Sequence, residues 1–212
     1  MMIVAIIGGG PAGLNAALVL ARANHQVLLF DNQKPRNAVT GHMHGFITRE
    51  GIAPSRFRRL AHQELRQYPN IKRYVATISQ AKRLTDGTFT MSTKSGTTFK
   101  ADRLLLATGL KESLPGVSGL QRFYGKSMFS CPYCDGYELS GKSLAIITES
   151  NNGLALSATL KQWSSRLHLF TNGKGSITSE ERELLQQLGV VLHIEPIKSL
   201  TGREGKLKGV VL

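Results

Sequence analysis

The sequence predicts an α/β chain made of two successive strand–helix–strand units, the first interrupted by an antiparallel β-meander. Three observations predict it. A short β-branched strand at 4–7 runs through Gly8-Gly9-Gly10-Pro11-Ala12-Gly13 into an Ala- and Leu-rich helix. Residues 75–99 alternate in strand fashion around the turn dipeptides Asp86-Gly87 and Ser95-Gly96. A second strand–helix–strand–helix succession then fills 143–188.

The length of 212 residues is enough to bury a core and to hold one large or two small domains. A hydrophobic share of 41% with 22 glycines fits an α/β protein with many tight turns. No apolar run approaches a membrane span, and the run at 3–7 is too short for a signal-peptide core. A reducing cytoplasm is therefore the expected compartment. The formal charge of +13 raises the question of nucleic acid, since Arg56, Arg58, Arg59, Arg66, Lys72 and Arg73 crowd together. No helix-turn-helix, zinc-finger or RNP-like pattern accompanies them. They read as a solvated helix face, with steering of an acidic partner as the alternative. Neither nucleic acid nor membrane is an expected partner.

In chain order, the strand at 4–7 is followed by a helix over 14–23 that stops at Asn24, a residue that tolerates the left-handed conformation. A second strand at 27–30 ends on Asp31. Strand, glycine turn, helix, strand and terminal acid together make a dinucleotide fingerprint, where a lone glycine pattern would be weak. Gly8 permits the tight turn, Gly10 lets a pyrophosphate approach the backbone, and Gly13 lets helix and strand pack closely. The helix N-terminus favours the phosphate charge, and Asp31 stands ready for the ribose hydroxyls of an adenosine. Residues 33–51 read as a long functional loop, whose Arg36, Asn37, His42 and His44 are candidates to reach a cofactor ring. A helix over 54–68 ends at Pro69-Asn70. After the meander, a buried strand at 104–107 closes on Thr108-Gly109, a turn expected to approach the cofactor. Pro115-Gly116 and Gly119 mark a crossover between domains.

The only two cysteines stand in Cys131-Pro132-Tyr133-Cys134-Asp135-Gly136. This spacing lets the sulfurs meet in a disulfide at a helix start, where the N–H groups and helix dipole favour a thiolate. Asp135 is placed to pass a proton to or from a leaving thiol. Three plainer readings compete. A two-residue loop constrains little, which argues against a purely structural disulfide. Zinc would need His42 and His44 as further ligands, a poor match in spacing, so no metal is expected. A pair of inert buried thiols sits badly with the surrounding Pro, Asp and Gly.

The second unit has strands at 143–148 and 167–170 and helices at 154–163 and 179–188. Its phosphate turn is eroded: Thr148-Glu149-Ser150-Asn151-Asn152-Gly153 keeps one glycine, and Glu149 would repel a pyrophosphate. The next strand leads to Thr171-Asn172-Gly173-Lys174, without the arginine pair that grips a 2′-phosphate.

Glycine fingerprint, meander, Ala-Thr-Gly turn and Cys-x-x-Cys-Asp-Gly, in that order, resemble the low-molecular-weight thioredoxin reductases. Pro35-Arg36-Asn37-Ala38, His44-Gly45-Phe46 and the run Cys131 to Glu138 look closest to a branch that includes the dithiol oxidases. The resemblance implies a Rossmann-like FAD-binding domain with the meander as an insertion, residues 1–114. It implies a second, smaller Rossmann-like, NAD(P)-binding-like domain at 115–212 that carries the cysteines. FAD would contact Gly8, Gly10, Pro11, Ala12, Gly13, Asp31, Asn37, Thr108 and Gly109. Cys134 would exchange electrons with the flavin, Cys131 would meet the substrate, and Asp135 would be the general acid/base. Rotation of the second domain about a pivot near 111–119 would alternate the pair between flavin and partner. The implied partner is a dithiol or disulfide, either a thioredoxin-like protein or a small molecule, and the implied oligomer is a homodimer. Two departures stand out. The segment that returns to the flavin domain in the family is expected to be missing, since the chain stops at Leu212 in a strand. The eroded second turn leaves use of NAD(P)H open, so an oxygen-dependent dithiol oxidase is the alternative to an FAD-dependent disulfide oxidoreductase, and the missing segment makes a non-catalytic, truncated nucleotide-binding fragment the further alternative.

Overall fold

A computed structural model describes residues 1–174 and 176–212. It is an α/β structure that divides into two compact units, Met1–Ala38 with Ile52–Glu112, and Val39–Gly51 with Ser113–Leu212.

In the first unit, β1 (Ile3–Ile7), β2 (Gln26–Phe30), β3 (Ile71–Tyr74) and β7 (Arg103–Leu106) form a four-stranded parallel sheet in the order β3-β2-β1-β7. Helices α1 (Pro11–Arg22) and α2 (Pro54–Leu65) join its strands. Alternate strand residues serve opposite faces, as a period of two demands. Ile6, Val27 and Leu29 pack with Leu14, Ala17, Ala21 and Leu65 of the helices. Ala5 and Phe30 face the other way, onto Met91, Ala101 and Phe99 of the antiparallel meander β4 (Ile78–Arg83), β5 (Phe89–Thr93) and β6 (Thr98–Ala101). Phe30 is fully buried there, its ring stacked 5.1 Å from Tyr74 and edge-on 4.9 Å from Phe99.

Helix α1 begins at Pro11, three residues before the expected start, because proline at the first helical position needs no partner for a missing N–H. Asn24 takes the left-handed conformation at φ 60°, as expected of the stop. Helix α2 ends at Leu65 rather than 68. Arg66, Gln67 and Tyr68 continue only as tighter i→i−3 turns. Strand β3 was not legible in the sequence: it is four residues long, and Lys72 and Arg73 point to solvent on the sheet edge. At the meander's first hairpin the Asp86 carboxylate accepts from the Thr88 hydroxyl at 2.6 Å and the Thr88 N–H at 2.9 Å. Those bonds, with Lys100, lower its pKa to about 2.

In the second unit, β8 (Leu144–Ile147), β9 (Leu167–Phe170) and β10 (Val190–His193) form a parallel sheet in the order β10-β9-β8. Between β1–β7 and β8 the chain makes α3 (Pro132–Asp135); α4 (Gly153–Leu160) and α5 (Ser179–Gln187) follow β8 and β9 in turn. Ile146, Leu167, Leu169, Leu185 and Val190 share one core, and Phe170 joins Val117, Leu120, Phe123, Ile197 and Leu200 in another. Helix α4 stops at Leu160, three residues short of the expected end. A hairpin, β11 (Ser199–Arg203) and β12 (Lys206–Val211), closes the described chain. Its Glu204-Gly205 turn, both residues left-handed, lacks the Asn-Gly or Asp-Gly pair that announces such turns in a sequence.

Thr178 caps α5 with a reciprocal box: its hydroxyl accepts from the Glu181 N–H, and the Glu181 carboxylate accepts from the Thr178 N–H at 2.9 Å. Thr178→Ala is expected to cost about 1 kcal/mol and to lower the melting temperature by roughly 2–4 °C. Thermal unfolding followed by circular dichroism measures it.

Candidate active site

The glycine turn between β1 and α1 is closed behind and open in front. Gly8 has φ +113°, and a Cβ there would fall inside the Ala107 carbonyl oxygen. A Cβ on Gly13 would likewise overlap the Gly8 carbonyl. At Gly10 nothing lies within 4 Å of where a Cβ would be. This is the division of labour a dinucleotide turn requires: backbone packed against backbone at the first and third glycines, free space at the second. Pro11 and Ala12 are exposed on the first turn of α1, whose N–H groups face the same opening as any helix start. Thr108 lies beside Gly8, its nitrogen 3.2 Å from the hypothetical Gly8 Cβ, and Gly109 has open space around it. The structure thus brings Gly8, Gly10, Gly13 and Thr108 to one turn. Asn37 lies apart in sequence, half-buried on a 3-10 turn, Arg36–Val39.

Asp31 lies under this turn, buried, against the α-carbon of Gly9. Its carboxylate forms a short ion pair with Arg58 and accepts from the Gln33 N–H at 2.9 Å. Arg58 is a partner the sequence did not reveal, because it arrives from α2, and nothing in the spacing of 31 and 58 announces the pair. The glycine turn has the open space a pyrophosphate needs, while the Asp31 carboxylate, expected at the ribose, is paired with Arg58. Arg36, expected near a ring, is instead paired with Glu112 at 2.8 Å.

Within the second unit, Cys131 and Cys134 form a disulfide, with Cα atoms 5.3 Å apart. Cys131 is the N-cap of α3, and both cysteines are half-buried. The helix they start is a single turn, too short to carry the helix dipole expected from the sequence. Asp135 closes the same turn. Gly136 is required by packing: a Cβ there would stand 2.8 Å from the Trp163 ring, which also meets Tyr133 edge-on at 5.3 Å. Tyr133 and Tyr137 are about four-fifths exposed beside the pair (79% and 82%). Trp163 too went unseen in the sequence, since it lies a full strand and helix beyond the motif.

The loop Val39–Gly51 belongs to this unit. His42 Nδ1 is bonded to the Gly51 carbonyl at 3.1 Å, and His44 Nδ1 to Glu50 at 2.6 Å. Among the described residues no group of three or more His, Cys, Asp or Glu is arranged to hold a metal ion.

The second phosphate turn differs from the first residue by residue. Gly153 keeps the role of the third glycine, its hypothetical Cβ 3.0 Å from Leu169. The rest of the turn is filled by its own side chains. Thr148 and Ser150 hydroxyls donate to Asn152 Oδ1 at 2.7 and 2.8 Å. Glu149 accepts from Asn172 at 2.7 Å and pairs with Lys174 at 2.9 Å, and these two partners, Lys174 first, lower its pKa. Lys174, a weak substitute for the arginine pair, is thereby engaged. This turn does not fit a pyrophosphate as the first does.

Comparison with known proteins places these features in one family. The family model "Pyridine nucleotide-disulphide oxidoreductase" matches residues 2–210. The thioredoxin reductase tcpT of Claviceps purpurea is 36% identical over 182 residues, 82% of this chain and 57% of that protein. A probable thioredoxin reductase of Arthroderma benhamiae is 32% identical over 173 residues, 79% of this chain and 43% of that protein. The chain therefore spans about half the length of these curated relatives. The crystal structure of a putative thioredoxin reductase, TrxB, from Bacillus anthracis superimposes with a TM-score of 0.91 at 42% identity, covering 98% of this chain and 70% of that one. With the fold, the glycine turn and the disulfide all in place, the chain belongs to the pyridine nucleotide-disulphide oxidoreductase family.

Proposed function

We propose that this chain is an FAD-dependent disulfide oxidoreductase of the thioredoxin reductase type. The observation that carries the reading is the Cys131–Cys134 disulfide on a one-turn helix that also holds Asp135. The first unit is the FAD-binding domain of this proposal and the second the NAD(P)-binding-like domain. Gly8, Gly10, Pro11, Ala12 and Gly13 would hold the pyrophosphate, Asp31 the ribose, and Asn37, Thr108 and Gly109 the remainder of the cofactor. Bound FAD would supply the two-electron chemistry that couples a dithiol to a hydride donor or to oxygen.

The residues' own part is thiol–disulfide exchange. In the reduced pair, the Cys131 thiolate attacks a substrate disulfide. A Cys131–substrate bond forms, the substrate S–S bond breaks, and Asp135 delivers a proton to the departing sulfur. Asp135 then takes the proton of the Cys134 thiol; the Cys134 thiolate attacks Cys131, the Cys131–substrate bond breaks as the internal disulfide re-forms, and that proton passes to the second departing sulfur. Two electrons pass from the pair to the substrate. The substrate is a disulfide of a thioredoxin-like protein or a small molecule, and the working form is a cytoplasmic homodimer. No helix among the described residues is long and apolar enough to cross a membrane.

A second reading, an oxygen-dependent dithiol oxidase, is favoured by the self-filled turn around Glu149. In that direction the substrate dithiol reduces the internal disulfide and NAD(P)H has no part. Anaerobic stopped-flow absorption separates the two readings. Rapid bleaching of the flavin by NADPH is the reductase result. Bleaching only by a dithiol, with hydrogen peroxide formed on admitting air, is the oxidase result. Protein that takes up no FAD at all would end both.

A further inference from the structure

The second unit holds a histidine that the chemistry above leaves unused. His44 is largely covered, its side chain 22% exposed, and its Nδ1 lies 2.6 Å from Glu50 and 3.6 Å from Glu138. Glu138 follows the cysteines on the 3-10 turn Tyr137–Leu139, four residues after Cys134. Glu50 is itself held, because its second carboxylate oxygen accepts from the Gly45 N–H at 2.8 Å. The loop that carries both is tied down at each end. Gly51 donates to the Met43 carbonyl at 3.0 Å, and the Val39 carbonyl packs onto the α-carbon of Gly125. The His44 ring thus bridges an anchored loop and the segment bearing the disulfide.

The charges around that segment make the bridge consequential. Asp135 follows Cys134 directly and Glu138 stands three residues further on, and negative charge near a thiol opposes its ionisation. The groups that face His44 are Glu50, Glu138 and Asp135, all acidic, with the His42 ring 6.4 Å away. The Glu50 hydrogen bond, then Glu138 and Asp135, raise the His44 pKa against the opposing effect of burial. The imidazolium is therefore favoured relative to that of a free histidine.

We propose that His44 is a positioning residue for the cysteine pair: held by Glu50, its imidazolium offsets Asp135 and Glu138 and so lets the reduced thiols carry a thiolate. This deepens the redox reading of the pair and rests on it. The step it assists precedes the exchange above: a cysteine thiol of the reduced pair gives up its proton, and the resulting thiolate then attacks sulfur.

The test is the pH dependence of thiol alkylation by iodoacetamide in the reduced protein. Wild type is expected to react with a midpoint below that of an ordinary cysteine. His44→Gln is expected to shift the midpoint upward by roughly half to one pH unit, with a several-fold slower rate near neutral pH. Glu50→Gln should shift it in the same direction, and His44→Arg, which keeps a fixed charge, should restore most of the wild-type profile. A merely structural histidine would not be rescued by arginine charge. Should His44→Gln, folded and able to re-form its disulfide, keep the wild-type midpoint, His44 has no such role, while the redox reading stands. Were wild type itself no more reactive than an ordinary thiol at any pH, the redox reading and this proposal would fall together.

Discussion

Cys134→Ser, purified with its flavin, is expected to remain yellow and folded yet lose at least about a thousandfold in turnover. Exchange needs two sulfurs: one to accept the substrate and one to resolve the mixed disulfide. With serine at 134 the first event still occurs, so Cys131 should accumulate a covalent adduct with the substrate, visible as an added mass. Cys131→Ser should lose activity to the same degree without any adduct. Mass spectrometry after mixing with a disulfide substrate therefore reads the order of the two sulfurs. An adduct that forms on Cys134 and not on Cys131 would reverse the assignment.

Gly8→Val is expected to be the most damaging single change outside the cysteines. The left-handed backbone at φ +113° disfavours a side chain by about 1–2 kcal/mol. The overlap with the Ala107 carbonyl adds about 1–3 kcal/mol of overpacking. Together these should lower the melting temperature by roughly 5–15 °C and abolish FAD uptake. Gly10→Ala is the informative control, because open space surrounds Gly10. Its stability should be nearly unchanged while FAD binding weakens markedly, measured by thermal melts beside flavin titration. Equal damage from both substitutions would mean that the turn is only a structural joint.

His44 also gives the fold a pH dependence whose sign is fixed. Its pKa is raised on folding, so its stabilising contribution is complete below the unfolded value near 6.5 and fades as pH rises through the folded value. The stability gap between wild type and His44→Gln should therefore be present in mild acid and vanish in alkali. Denaturant melts across that range measure it.

Much of this was readable from the sequence, for physical reasons that also explain the gaps. The glycine turn was legible because Gly8, Gly10 and Gly13 obey local backbone constraints, and the cysteine pair because the chain has only two cysteines. Strands β1 and β2, on either side of the glycine turn and its helix, are largely buried and read as apolar runs. Strand β3 escaped because an edge strand with Lys72 and Arg73 outward carries no such pattern. Asp31 was found, but Arg58, which neutralises it, was not: a contact between a strand end and a later helix is set by packing, not by spacing. Glu50 and Trp163 were invisible for the same reason. Conversely, the erosion of the second phosphate turn was plain in the letters, while the mutual satisfaction of Thr148, Ser150 and Asn152 needed coordinates.

Trp163 is the one tryptophan of the chain, and its ring lies on Gly136, inside the cysteine motif. Disulfides quench indole emission at short range. The molecule thus contains its own optical gauge: fluorescence excited selectively through this indole should brighten as the sulfurs part, giving a dye-free titration of oxidation state.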